Sequence, residues 1–129
     1  MTPADDIPEE IRRFIGEYID DVPQLETLLM MNEEQDRAWL VGEVAARNNM
    51  TDQRALDTLD ALRRRALLSR EEPTPHFRFN PPTPQMRALV AVVGTYYRKN
   101  LARIATYIHS KPSASIKEFA RAFELKKDR

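Results

Sequence analysis

The side chains with the most chemistry to offer lie between positions 47 and 78. Arg47, Asn49, Gln53 and Arg54 place guanidinium and carboxamide groups around the start of a short helical pattern. Arginine forks onto guanine and glutamine onto adenine in the major groove, so this set can read base edges. The plainer reading of the same side chains is a solvated helix surface. Thr51 stands where its hydroxyl can accept a bond from an amide of the first turn and so cap that helix. Arg70, His76 and Arg78 could meet phosphates, although Glu71 and Glu72 lie among them. Asp52 suits the positive end of a helix dipole, whereas Asp57 on the same face would repel a phosphate backbone.

Catalysis has little to work with. His76 and His109 are far apart, cysteine is absent, and three glycines form no phosphate-cradling loop. The carboxylates are scattered over helical patterns without pairing, so no catalytic residue, metal site or cofactor is expected. Met30, Met31 and Met50 read as core, and Trp39 as a seal between the second helix and the helix-turn-helix.

The elements that must position these groups are read from periodicity. Asp6, Pro8 and Glu9 open a helix over 7–19, with Ile11, Phe14, Ile15 and Tyr18 at helical spacing. Asp21 caps a second helix, Gln24 returning the bond of a capping box, and Leu25, Leu28 and Leu29 form its buried stripe. Two further helical patterns are separated by a few polar residues. Val41, Val44 and Ala45 face inward on one, and Ala55, Leu59 and Leu62 on the other, which makes a helix-turn-helix. Arg63, Arg64 and Arg65 end it, where cations meet the helix dipole favourably. Leu67, Leu68, Phe77 and Phe79 flank a proline-broken stretch and suit a two-stranded hairpin.

A long helix then runs over 84–109, with Met86, Leu89, Val90, Val93, Tyr97, Leu101, Ile104 and Ile108 along one side. The small core cannot cover its full length, so Val90, Val93, Tyr97, Leu101 and Ile104 are the expected dimer interface. Lys111-Pro112 breaks that helix. Ser115 and Glu118 start a final short one, with Ile116, Phe119, Ala120 and Phe123 on its apolar face.

Composition agrees with one domain over residues 1–129. The 129 residues are 42% hydrophobic and 31% charged, a globular balance. The longest apolar run, Ala88 to Val93, is too short for a membrane span, and the acidic start resembles no signal peptide, so a cytoplasmic protein is expected. The formal net charge of +0 hides a strong polarity: by count, residues 1–40 carry −8, residues 41–79 carry +1 and residues 80–129 carry +7. Acidic front and basic back either neutralise each other or present a basic tail to a partner.

The segment EVAARNNMTDQRALDTLDALRRRALLSR resembles the core of bacterial winged-helix regulators of the MarR type. Glu43, Val44 and Ala45 stand at the Glu-apolar-Ala step of such proteins, Met50 at the apolar turn residue and Thr51 at the capping position; Leu62 and Leu67 close the core. Ala66 stands where many relatives have glycine, and Asn48 where an apolar residue is usual. The resemblance implies a mainly α fold with a small β-hairpin wing: N-terminal helices over 7–36, helix-turn-helix and wing over 37–80, and a C-terminal helical extension over 84–125. It carries two functional expectations. One is a non-catalytic DNA-binding transcriptional regulator that dimerises through the long helix and contacts DNA with Arg47, Asn49, Thr51, Gln53, Arg54 and Arg78. The other is a winged-helix module that docks a protein partner.

Overall fold

The computed structural model describes residues 6–111. They run in the order α1 (Glu9–Tyr18), α2 (Val22–Glu33), β1 (Ala38–Leu40), α3 (Val41–Arg47), α4 (Asp52–Arg64), β2 (Leu68–Glu71), β3 (His76–Phe79), α5 (Pro84–Lys99) and α6 (Leu101–Ser110). The final helix expected from Ser115, and the basic tail, lie outside the described residues.

Side chains fix several helix starts by accepting otherwise unsatisfied amides. Asp21 accepts from Gln24 N at 2.8 Å, Thr51 from Arg54 N at 3.1 Å and Thr83 from Met86 N at 3.0 Å. The reciprocal bond expected from Gln24 to Asp21 goes elsewhere. Its Oε1 accepts from the Asp20 amide at 2.8 Å and from Arg65 Nη1 at 3.1 Å, because Arg65 reaches in from the end of α4.

The sheet has three strands in the order β1-β3-β2, both pairs antiparallel. Phe77 and Phe79 point inward from the central strand, while His76 and Arg78 alternate to the outer side. The expected hairpin is β2–β3, and a third strand that the periodicity does not announce, β1, joins it. Trp39 pairs with Phe77 and is fully buried, so β1 covers the edge of β3 that a hairpin would leave open.

The expected long helix is also two helices. Asn100 leaves helical geometry at φ −139 and ψ 41, and its Nδ2 donates to the Tyr96 carbonyl at 3.0 Å. The local bond competes with continued helix, which asparagine favours. After this break α6 packs along α1: Ile104 and Ile108 enter the core, and Lys111 Nζ donates to the Ile15 carbonyl at 2.6 Å and also to that of Ile19. One apolar cluster results, drawing on all nine elements. No described helix is long and apolar enough to cross a membrane.

Candidate nucleic-acid interface

The turn between α3 and α4 is built from backbone bonds and one unusual dihedral. Asn48 N donates to Val44 O and Met50 N to Ala45 O, each at 3.0 Å, while Asn49 takes a left-handed φ of 54. Asparagine tolerates that region better than most residues. Thr51 then caps α4, and the helix is rotated so that Ala55, Thr58, Leu59 and Leu62 face the core. The remaining face exposes Asp52, Gln53, Arg54 and Asp57. Gln53 Nε2 donates to Asp57 Oδ1 at 2.9 Å. The Arg54 guanidinium has no hydrogen-bond or ion-pair partner among the described residues. With Asn49 and Met50 it lines a cleft of about 510 Å³ facing Pro23 and Glu26 of α2.

The other expected contact residues are placed differently. Arg47 is exposed but lies 3.8 Å from Glu34, with its guanidinium 5.2 Å from the centre of the Trp39 ring. Arg78 donates from Nε to Glu71 at 3.0 Å and from Nη1 to the Asp36 carbonyl. Arg70 pairs with Glu72 at 2.9 Å and approaches Asp60 at 3.6 Å. His76 Nδ1 sits 2.8 Å from the Thr74 carbonyl oxygen. The structure therefore brings Asn49, Thr51, Gln53 and Arg54 together at one turn. Arg78, on β3, is engaged by Glu71 and the Asp36 carbonyl, and Arg47 has Glu34 beside it.

Two supports are not legible as such in the sequence. Arg65, expected with Arg63 and Arg64 to act as a dipole cap, is a latch: it donates to Asp20 Oδ2 at 2.5 Å, to Gln24 and to the Tyr18 carbonyl, tying the end of α4 to the α1–α2 junction. The run of three arginines is the signal, but nothing in it distinguishes Arg65, which spans 45 residues to reach Asp20. Glu43 is the second. It accepts the Leu40 amide at 2.8 Å at the start of α3 and a bond from Arg37 Nη2 at 3.0 Å. The amide above all, and then Arg37, holds its carboxyl below the ordinary value.

The residues expected at a dimer interface need a correction in physical terms. Val90, Val93 and Ile104 are 0% exposed and Tyr97 is 7% exposed within this single chain. The break at Asn100 lets α6 pack against α1, so one core accommodates the stripe that looks too long for it. Burial also pushes the Tyr97 hydroxyl above its ordinary pKa, with Glu26 adding to the effect. Of that set only Leu101 stays outside, at 55% exposure, and on α5 Val92 is 44% exposed. Val92 lines an open cleft with Pro8 and Ile11 of the N-terminal region. Among the described residues no three His, Asp or Glu side chains are grouped so as to hold a metal ion.

No protein-family model matches the chain, and no curated protein does either. Solved structures do. A MarR family protein from Bacillus stearothermophilus aligns with TM-score 0.50 and 18% identity, over 93% of this chain and 81% of that one. A MarR family transcriptional regulator from Silicibacter pomeroyi DSS-3 aligns with TM-score 0.50 and 20% identity, over 89% and 84%. The architecture is thus that of the MarR winged-helix proteins: mostly helical, with a small antiparallel sheet. At these identities the fold is what the chains share.

Proposed function

We propose that the protein is a non-catalytic, DNA-binding transcriptional regulator that reads the major groove with the first turn of α4. The observation that carries this reading is the turn itself. A capped helix start projects from the surface with Gln53 and an unpartnered Arg54 side by side, next to Asn49. Helix-turn-helix proteins enter the groove with this part of the second helix, and these side-chain types match base edges. The likeness to MarR-type folds supports the orientation of α4 in such a reading.

Among the described residues of the reading turn and the wing few cations are free to meet phosphate, so their nonspecific contribution is weak and adds only a shallow salt dependence, a log–log slope of about −1 to −3. Anisotropy titrations with genomic fragments over a salt series test this. Absence of any salt-sensitive binding rules the reading out.

A second reading has its own observation. The wing arginines are neutralised by wing glutamates, while apolar surface is exposed at Val92 and Leu101. A protein-docking module, or a homodimer using that surface, accounts for both. Val92→Glu with Leu101→Glu should abolish such an association in sedimentation while leaving the fold intact.

A further inference from the structure

We propose that Asp57 is a positioning residue for base reading. It fixes the Gln53 carboxamide so that the amide oxygen and its second N–H face outward as an adenine-reading edge. This rests on the DNA reading above and adds to it a residue that never needs to touch a base.

The argument starts from what a carboxylate can do. Ionised Asp57 only accepts hydrogen bonds, so the group of Gln53 that lies 2.9 Å from Oδ1 must be the NH₂ and not the oxygen. The orientation of the amide is thus dictated by chemistry. Positions 53 and 57 are four apart on α4 and stack one above the other on its exposed face. Gln53 is the member nearer the helix N-terminus, where base edges are met. With one N–H committed to Asp57, the amide still offers an acceptor and a donor next to each other. Adenine presents the complement, an N6 amino group beside N7.

An unrestrained glutamine on a helix surface can turn its amide either way, and half of those orientations present oxygen where N7 needs a donor. Holding the side chain in advance removes that ordering cost from the bound state. Asp57 also lies three residues after Arg54, near enough on the helix to have paired with it. Asp57 bonds Gln53 and makes no ion pair with Arg54, whose guanidinium is unpartnered among the described residues. One carboxylate therefore orders one base reader while leaving the other available.

The negative charge of Asp57 repels phosphate whatever the sequence, so positioning and affinity are pulled in opposite directions. This separates the proposal from a merely structural role. Selection from a random duplex library, followed by sequencing, would be run on the full chain as wild type, Gln53→Ala, Asp57→Ala and Asp57→Glu. The wild type should enrich adenine at one position of its site by about tenfold, the discrimination expected of a bidentate contact. Gln53→Ala should flatten that position. Asp57→Ala should flatten the same position while binding arbitrary duplex several-fold more tightly, and Asp57→Glu should restore the preference.

If Asp57→Ala keeps the adenine preference, the positioning role is overturned while DNA reading stands. If the wild type enriches no sequence but binds duplex in a salt-sensitive way, base reading by Gln53 is overturned. If it binds no duplex at all, the underlying DNA reading fails first and this inference with it. Circular dichroism of the Asp57 variants confirms that the exposed change leaves the helix content intact.

Discussion

The first turn of α4 and the wing draw on the same residue types, arginine beside acid, and reach opposite results. In the wing, strand geometry puts alternate residues on one side and diagonal neighbours of the paired strands within reach of long side chains. Arg70 meets Glu72 in the turn just past the end of β2, and Arg78, paired in register with Ser69, reaches diagonally to Glu71. Every arginine of the wing is engaged by a neighbour. On α4 the spacing of partners is three and four, and Asp57, three residues after Arg54, bonds Gln53. The same charge content gives a self-neutralised hairpin in one place and an uncommitted guanidinium in the other. Even on α4 spacing alone does not decide the outcome: Arg63 pairs with Asp60 three residues before it at 3.3 Å, while Arg54 and Asp57, equally spaced, do not pair.

Recharging the wing should break this comparison most strongly. Glu71→Lys with Glu72→Lys removes the glutamate partners of Arg70 and Arg78, leaving only Asp60 and the Asp36 carbonyl against them, and adds two cations. Affinity for a short duplex of arbitrary sequence should rise roughly a hundredfold at low salt, and the salt slope should steepen by about two to four. Unchanged binding would mean that the wing does not approach DNA. The complementary loss comes from the reading turn. Arg54→Ala should weaken specific binding by about 1–3 kcal/mol and relax preference at a guanine position, with little effect on thermal stability. A variant that bound poorly to every sequence alike would make Arg54 a phosphate contact instead.

Much of this arrangement is legible in the sequence, for reasons specific to each element. Thr51 and Asp21 announce their helices because a cap is a local device, needing only a side-chain oxygen and an amide a few residues on. The inward sets of α3 and α4 come from the 3.6-residue period, although Val41 is only half-buried. What sequence cannot show is non-local. Nothing near Trp39 states that Phe77 will lie opposite it, so β1 has no local signature. The apolar stripe from Val90 to Ile108 keeps helical spacing straight through Asn100, so periodicity gives no sign of the break there. That break turns most of an expected dimer seam into core. Arg65 and Asp20 likewise meet only in the tertiary structure.

One departure from the family pattern has a direct physical reading at the joint between α4 and the wing. Ala66 adopts a left-handed φ of 64, with its amide on Arg63 O at 2.8 Å and the Leu67 amide on Leu62 O at 3.1 Å. These two bonds are the Schellman ending that glycine makes without steric cost. Ala66→Gly relieves the Cβ clash but adds freedom to the unfolded chain, so the net gain is about 0.5 kcal/mol. Chemical denaturation should show a slightly higher midpoint with an unchanged slope. DNA affinity should not move, because the joint keeps its geometry.

The smallest effect concerns Glu43, which frames α3 behind the reading turn. Its carboxyl is held below the ordinary value of 4.5 by the Leu40 amide first and by Arg37 after it. A carboxyl with a lowered folded-state pKa contributes stability above the unfolded value, and that contribution disappears as the pH falls through the folded value. Glu43→Gln keeps an oxygen for the Leu40 amide and removes only the charge. The thermal midpoint of wild type should therefore exceed that of the variant at neutral pH, and the gap should close once the pH drops well below 4.5. Both partners are substantially exposed, at 33% for Arg37 and 41% for Glu43, so the difference amounts to about a few tenths of a kcal/mol and shrinks in high salt. A gap that stays constant across pH would assign the effect to the shape of the capped turn rather than to its charge.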